Sequence, residues 1–238
     1  MNLDKLNICV ISHRRPKNVD KLEQFIGVKP IWYVGDKQDE EEYNTDTIIG
    51  GNLCQTRNRI LTDSWEVDKI PVMIDDDIKN LEECYIENGK KTTKNITFIE
   101  SLNIMYEALT NTRMKLAGVS PTHNPFYCNP NKPIQFKHFI IGSMIMVKPC
   151  DLLFDESLRT KEDYDYTLQH IQKYGGVARC DTILADFEHY NNSGGVVDYR
   201  TSEVEQNSIN TLKKKWGALI VDNPKRPNEI LIKHNLIK

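Results

Sequence analysis

Apolar residues in the first third of this chain fall in short runs separated by polar segments with helical spacing. Residues 6–12, 30–34 and 70–75 are too short for helices and rich in bulky apolar side chains, which predicts buried strands. Residues 47–49 add a further short strand, closed by Gly50-Gly51. Between the strands the pattern predicts a helix ending near Phe25 and another over residues 52–65. Residues 36–46 are acidic with a single apolar anchor, Tyr43, and read as a surface loop. Strand and helix in alternation imply parallel strands joined by right-handed crossovers.

The pattern then changes. Phe98, Ile99, Leu102, Met105, Tyr106 and Leu109 recur at helical spacing over residues 97–110. Residues 115–119 predict a strand, and 120–137, with four prolines and three asparagines, an irregular loop of the length that serves as a lid or binding segment. A strand follows over 139–147, interrupted by Gly142-Ser143, then a helix over 161–174 that stops at Gly175-Gly176. Residues 178–184 predict a strand, 185–197 an Asn- and Gly-rich loop, and 202–216 a last helix before a basic tail. There are no internal repeats and no low-complexity linker, so residues 1–238 are expected to form one α/β domain.

With 238 residues, 39% hydrophobic and 27% charged, the composition is that of an ordinary globular protein. The net charge of −3 excludes a global basic field of the kind that drives nonspecific nucleic-acid binding, so a polyanion must be met by a local patch. Six scattered cysteines without a C-x-x-C pair read as reduced packing thiols. No apolar run approaches the roughly 18 residues of a membrane span. The expected location is therefore the cytoplasm, without membrane contact.

The candidate chemistry begins at Asp75-Asp76-Asp77, which closes the apolar run from Ile70. Three adjacent carboxylates repel one another unless something positive sits among them, and ligands of open α/β sheets bind at the carboxyl ends of strands. Hard divalent cations take carboxylate oxygens together with substrate phosphates, which points to a metal–phosphate site. The alternative is a solvated acidic turn capping a following helix. Gly50-Gly51 ahead of the helix bearing Gln55, Arg57 and Arg59 is a second anion-site signal. Arg57 and Arg59 do not share one helical face, so at most one of them reaches such a site. Glu162, Asp163 and Asp165 open a helix, where acids complement the dipole or serve as a general base. Glu188-His189 follows a strand and precedes Gly194-Gly195, offering a metal or phosphate contact. Lys213, Lys214 and Lys215 beside Trp216, with Lys225 and Arg226, form a basic stretch that suits DNA phosphates or a solvated helix end.

Taken together, residues 6–195 resemble the GT-A glycosyltransferases. The features that carry the resemblance are a first strand ending in a polar turn, the helix with Gln55, Arg57 and Asn58, the Asp75-Asp76-Asp77 strand end, Glu162-Asp163 opening a helix, and His189. Within that fold, residues 54–58, 72–77, 138–147, 161–176 and 189–195 are most similar to phage glycosyltransferases associated with TET/JBP base oxidation. The resemblance implies a Rossmann-like, mainly parallel sheet with helices on both faces and a small antiparallel acceptor-side sheet. Residues 1–115 would bind the nucleotide sugar, 116–200 the acceptor, and 201–238 would add a helix and basic tail.

It further implies transfer of a sugar from a nucleotide-diphosphate donor, a UDP-sugar first, to the hydroxyl of 5-hydroxymethylcytosine in phage DNA. Asp75, Asp77 and His189 would hold Mn²⁺ or Mg²⁺. Ser12, His13, Arg14, Gln55, Arg57, Asp75, Asp76 and Gly142 would contact the donor, and Asp163 or Glu162 would be the base. The molecule would be a monomer or weak homodimer, in the host cytoplasm if phage-encoded. Two alternatives stay open: a GT-A enzyme acting on a polysaccharide or other small hydroxyl acceptor, and an idle nucleotide-sugar-binding module.

Overall fold

The structure is a computed structural model and describes residues 1–188 and 200–237. Its first unit is the parallel set β1 (Leu6–Ile11), β2 (Ile31–Val34), β3 (Thr47–Ile49) and β4 (Ile70–Asp75), in the spatial order β3-β2-β1-β4. The crossovers are α1 (Val19–Ile26), α2 (Lys37–Glu42) and α3 (Leu53–Glu66). Alternation decides which side chains each face buries. Val72 and Ile74 join the cluster under α1, and Met73 joins the opposite cluster under α3.

The sheet continues with β5 (Ile78–Glu87), β6 (Lys90–Asn95), β7 (Leu116–Ser120), β8 (Ile134–Gln135), β9 (Met144–Val147) and β10 (Ala178–Phe187). Beyond β4 the order is β9-β7-β10-β5-β6, with β8 also on β10. Only β7 and β10 are parallel in this half, so the whole is a mixed ten-stranded sheet. Helix α4 (Phe98–Asn111) packs its apolar stripe on the α1 face. Helices α5 (Glu162–Tyr174) and α6 (Ser202–Trp216) cover the other face beside α3. A separate antiparallel pair, β11 (Ile220–Asp222) and β12 (Ile230–Ile232), adds Ile220, Ile230 and Ile232 to that second cluster. No helix among the described residues is long and apolar enough to cross a membrane.

The α/β class and most elements agree with the sequence pattern, and the departures have local causes. Residues 36–46 are not all loop: Asp36 accepts a hydrogen bond from the Asp39 N–H and caps α2. The aspartate triplet is followed by the β5–β6 hairpin rather than a helix. Its signal is Asn88-Gly89, both at positive φ (50° and 75°), the two-residue turn that a twisted hairpin favours. The expected strand 139–147 is regular only over Met144–Val147, because Gly142 and Ser143 turn at the cavity. The tail, read from the sequence only as basic, contributes to the β11–β12 hairpin.

Candidate active site

Parallel strands deliver their carboxyl ends to one edge of the sheet, and a cavity of about 830 Å³ opens there. Register places its polar groups. Ile11 pairs with Asp75, so Ser12 follows β1 directly beside Asp76. The Asp75 N–H donates to the Ser143 carbonyl at 2.9 Å, which brings the start of β9 to the same place. Opposite stands the N-terminus of α5.

The triplet is not a row of bare charges. Arg15 Nη1 donates to Asp76 Oδ1 at 3.0 Å and to Asp77 Oδ2 at 3.2 Å. Ser12 Oγ donates to the second Asp76 oxygen and lies 2.5 Å from the Tyr43 hydroxyl. Burial pushes the Asp76 carboxyl up to about 6 although Ser12 and Arg15 both favour its ionised form. Asp75 is the most open of the three, its side chain 30% exposed toward the cavity.

Behind the triplet lies Arg57, with only 3% of its side chain exposed. Its Nε pairs with Glu162 Oε1 at 3.2 Å, its Nη2 is 4.0 Å from Asp75 Oδ1, and its Nη1 donates to the Gly142 carbonyl at 3.1 Å. Its guanidinium carbon also lies 5.4 Å from the Phe154 ring centre. A Cβ at position 142 would sit 2.7 Å from Arg57 Nη2, so a larger residue there would push the guanidinium aside from the two carboxylates. Gly142 in turn donates its N–H to Asp163 Oδ2 at 3.1 Å, and the Tyr164 N–H donates to the other Asp163 oxygen at 3.0 Å. Burial, reinforced by neighbouring Glu162, holds the Asp163 carboxyl up at about 7 against these donors and Arg57. Lys161, just before α5, is in the left-handed region (φ 62°), its buried ammonium 2.5 Å from Glu205 Oε2.

Several residues singled out from sequence line this cavity: Ser12, His13, Arg57, Asp75, Asp76, Asp77, Gly142, Glu162, Asp163 and Arg226. Others do not. The Arg14 N–H is held by buried Asp39 at 2.7 Å, and its exposed side chain is outside the cavity lining. Gln55 is used in the α3 capping box, exchanging hydrogen bonds with Asn52. Arg59 points outward and pairs with Asp63 at 3.0 Å. Lys213 pairs with Asp222 and Lys215 with Asp155 and Asp165, which ties this stretch into the fold; Lys214 and Lys225 stand outside the cavity lining. His189 lies outside the described residues; Glu188, the last before it, donates its N–H to the Asp77 carbonyl at 2.9 Å.

Three contributions were missed from sequence: Arg15, Lys161, and the β11–β12 hairpin, which walls the cavity with Ile230 and Leu231. The Arg-Arg pair at positions 14–15 was the available signal for the first. The other two depend on long-range packing.

Among the described residues no group of three His, Cys, Asp or Glu side chains is arranged to hold a metal ion. A hard divalent cation that completes its shell with water and phosphate oxygens needs only one or two carboxylates. Asp75 and Asp77 both line the cavity and offer hard oxygen donors of that kind, so the donor set fits such an ion. No protein-family profile matches the chain, and a search of curated proteins finds no match.

Proposed function

We infer that this chain transfers a sugar from a nucleotide-diphosphate donor to an acceptor hydroxyl by a single inverting displacement. The observation that carries the inference is the pairing, in one cavity, of the Asp75–Asp77 strand end with a partly buried carboxyl raised toward neutrality at Asp163. A base poised at the working pH is what removal of a hydroxyl proton requires.

Asp163 accepts the proton of the acceptor hydroxyl. The freed oxygen pair forms the bond to the anomeric carbon as the bond to the diphosphate breaks, and that bonding pair leaves with the diphosphate. Charge grows on the leaving group while the sugar passes through an oxocarbenium-like state, as in glycoside hydrolysis. Asp75 and Asp77 would hold Mn²⁺ or Mg²⁺, which supplies Lewis-acid stabilisation of the diphosphate. Arg57 pairs with Glu162 and fixes Gly142, so it orients Asp163 from behind. Ser12 and Arg15 hold Asp76 in place at the donor end.

The finer proposal is that the donor is a UDP-sugar and the acceptor 5-hydroxymethylcytosine in DNA, within the cytoplasm. It is supported by the resemblance to phage glycosyltransferases. Hydroxymethyl groups at pyrimidine C5 project into the major groove, where an enzyme reaches them with or without base flipping. Mass spectrometry of hydroxymethylcytosine DNA after incubation with Mn²⁺ and a panel of nucleotide sugars tests it. A mass increase of one sugar is expected. Transfer only to oligosaccharides would move the acceptor to glycans, and absence of any transfer or donor hydrolysis would end the enzyme reading.

A further inference from the structure

The aspartate triplet poses an electrostatic problem, and the chain answers it with Arg15. A single nitrogen, Nη1, bridges Asp76 and Asp77, and the Arg15 side chain is only 12% exposed. The bridge is built rather than incidental. The Arg15 N–H donates to the Tyr43 hydroxyl at 3.1 Å, and that hydroxyl also contacts Ser12. Arg14, just before it, takes the left-handed conformation (φ 55°) that a non-glycine residue adopts only under local constraint. Its N–H is anchored on Asp39, which also meets His13 Nδ1 at 2.8 Å.

Two cations on Asp77 at short range repel each other. A guanidinium at 3.2 Å from one carboxylate oxygen repels a divalent ion that approaches the same group. Arginine is also the side chain best matched to phosphate oxygens, through its planar fork of donors. Arg15 lines the same cavity as Asp75, so a guanidinium released from Asp77 remains within the donor site.

We propose that Arg15 is the counterion of the triplet when no metal is bound, that a divalent cation replaces it on Asp77, and that the displaced guanidinium then binds the diphosphate of the donor. This rests on the metal-dependent reading above and adds an order to it: cation first, donor second. The residue that stabilises the resting site becomes a donor ligand in the loaded one.

The test uses the whole chain and Mn²⁺ alone, followed by isothermal titration and electron paramagnetic resonance. Arg15→Gln should bind Mn²⁺ at least about tenfold more tightly than the wild type, because a competing charge a few ångströms away is gone. Arg15→Lys should stay near the wild type. In saturating Mn²⁺, UDP should bind Arg15→Gln at least about tenfold more weakly, the loss expected for a charge-assisted phosphate contact. On the wild type itself, Mg²⁺ should shift the Arg15 Nε–H resonance, assigned through Arg15→Lys; that measurement stands even if the Gln variant folds poorly. Equal or weaker Mn²⁺ binding by Arg15→Gln, or a resonance that Mg²⁺ leaves in place, overturns the exchange while the metal reading survives. Mn²⁺ binding by none of the proteins overturns both.

Discussion

Two carboxylate clusters face each other across the cavity, and each is served by one arginine, yet they are set for different tasks. At the β4 end, Arg15 touches two carboxylates from the cavity side, and Ser12 adds a hydroxyl donor to Asp76. At the α5 end, Arg57 lies wholly behind the site and contacts Glu162 directly, leaving Asp163 with two backbone N–H groups. Burial raises both Asp76 and Asp163, to about 6 and about 7. The difference is where the arginine is aimed. At the first cluster a guanidinium lies on the carboxylates themselves, where another cation can take its place; at the second the guanidinium is spent on Glu162 and Asp163 keeps neutral backbone donors. The first cluster is suited to cations, and the second to a proton.

The sharpest way to break this contrast is Asp163→Asn, which keeps shape and removes basicity. Turnover should fall about 10²–10⁴-fold, with donor binding changed little, as steady-state kinetics and UDP titration would show. The rise of the wild-type rate with pH through about 7 should vanish in the same variant. Loss of activity from Glu162→Gln alone would move the base by one residue.

Arg57→Ala should have the next largest effect, on stability. It leaves Glu162 buried without its partner, and breaking a buried pair in that way costs about 3–5 kcal/mol, readable in urea melts. An effect below about 1 kcal/mol, the value of an exposed pair, would mean that water reaches this cluster.

The proton cluster also predicts a pH dependence of stability. A carboxyl whose folded pKa is raised contributes stability that is fully present below its ordinary value of 3.8 and is lost as pH rises through about 7. Melts of the wild type should therefore weaken from pH 4 toward pH 7 by an amount that Asp163→Asn removes. Identical profiles for the two proteins would place the titration elsewhere.

Smallest of all should be the loss of Lys213. It pairs with Asp222 at a largely exposed site, so Lys213→Ala should change stability by about 0–1 kcal/mol, whereas Lys215 also neutralises Asp165, whose side chain is fully buried. The salt slope of any DNA binding should not move, because these ammonium groups are committed within the fold. A slope lowered by about one per lysine would restore them as phosphate contacts.

Much of the fold was legible because its signals are local. Asn52 and Gln55 announce the start of α3, Thr97 and Glu100 that of α4, and Gly175 the end of α5. Short continuous apolar runs marked β1, β2 and β4, and Asp75-Asp76-Asp77 announced where the cavity would be. The opposition of Arg57 to Arg59 was also a matter of helical period, since one is buried and the other meets solvent.

What the chain alone could not settle was decided by packing between distant segments. Antiparallel insertion of β9 beside β4 brought Gly142 to Arg57, 85 positions away in sequence. The same packing set Asp163 on the Gly142 N–H, and burial at that junction raised its carboxyl. The turn after β1 selected Arg15 over Arg14 because Asp39 and Tyr43 hold its backbone. Composition and period report how each element meets solvent, so they reveal elements and edges. The charge state of a group depends on what the whole fold places within a few ångströms of it, and that became visible only in three dimensions.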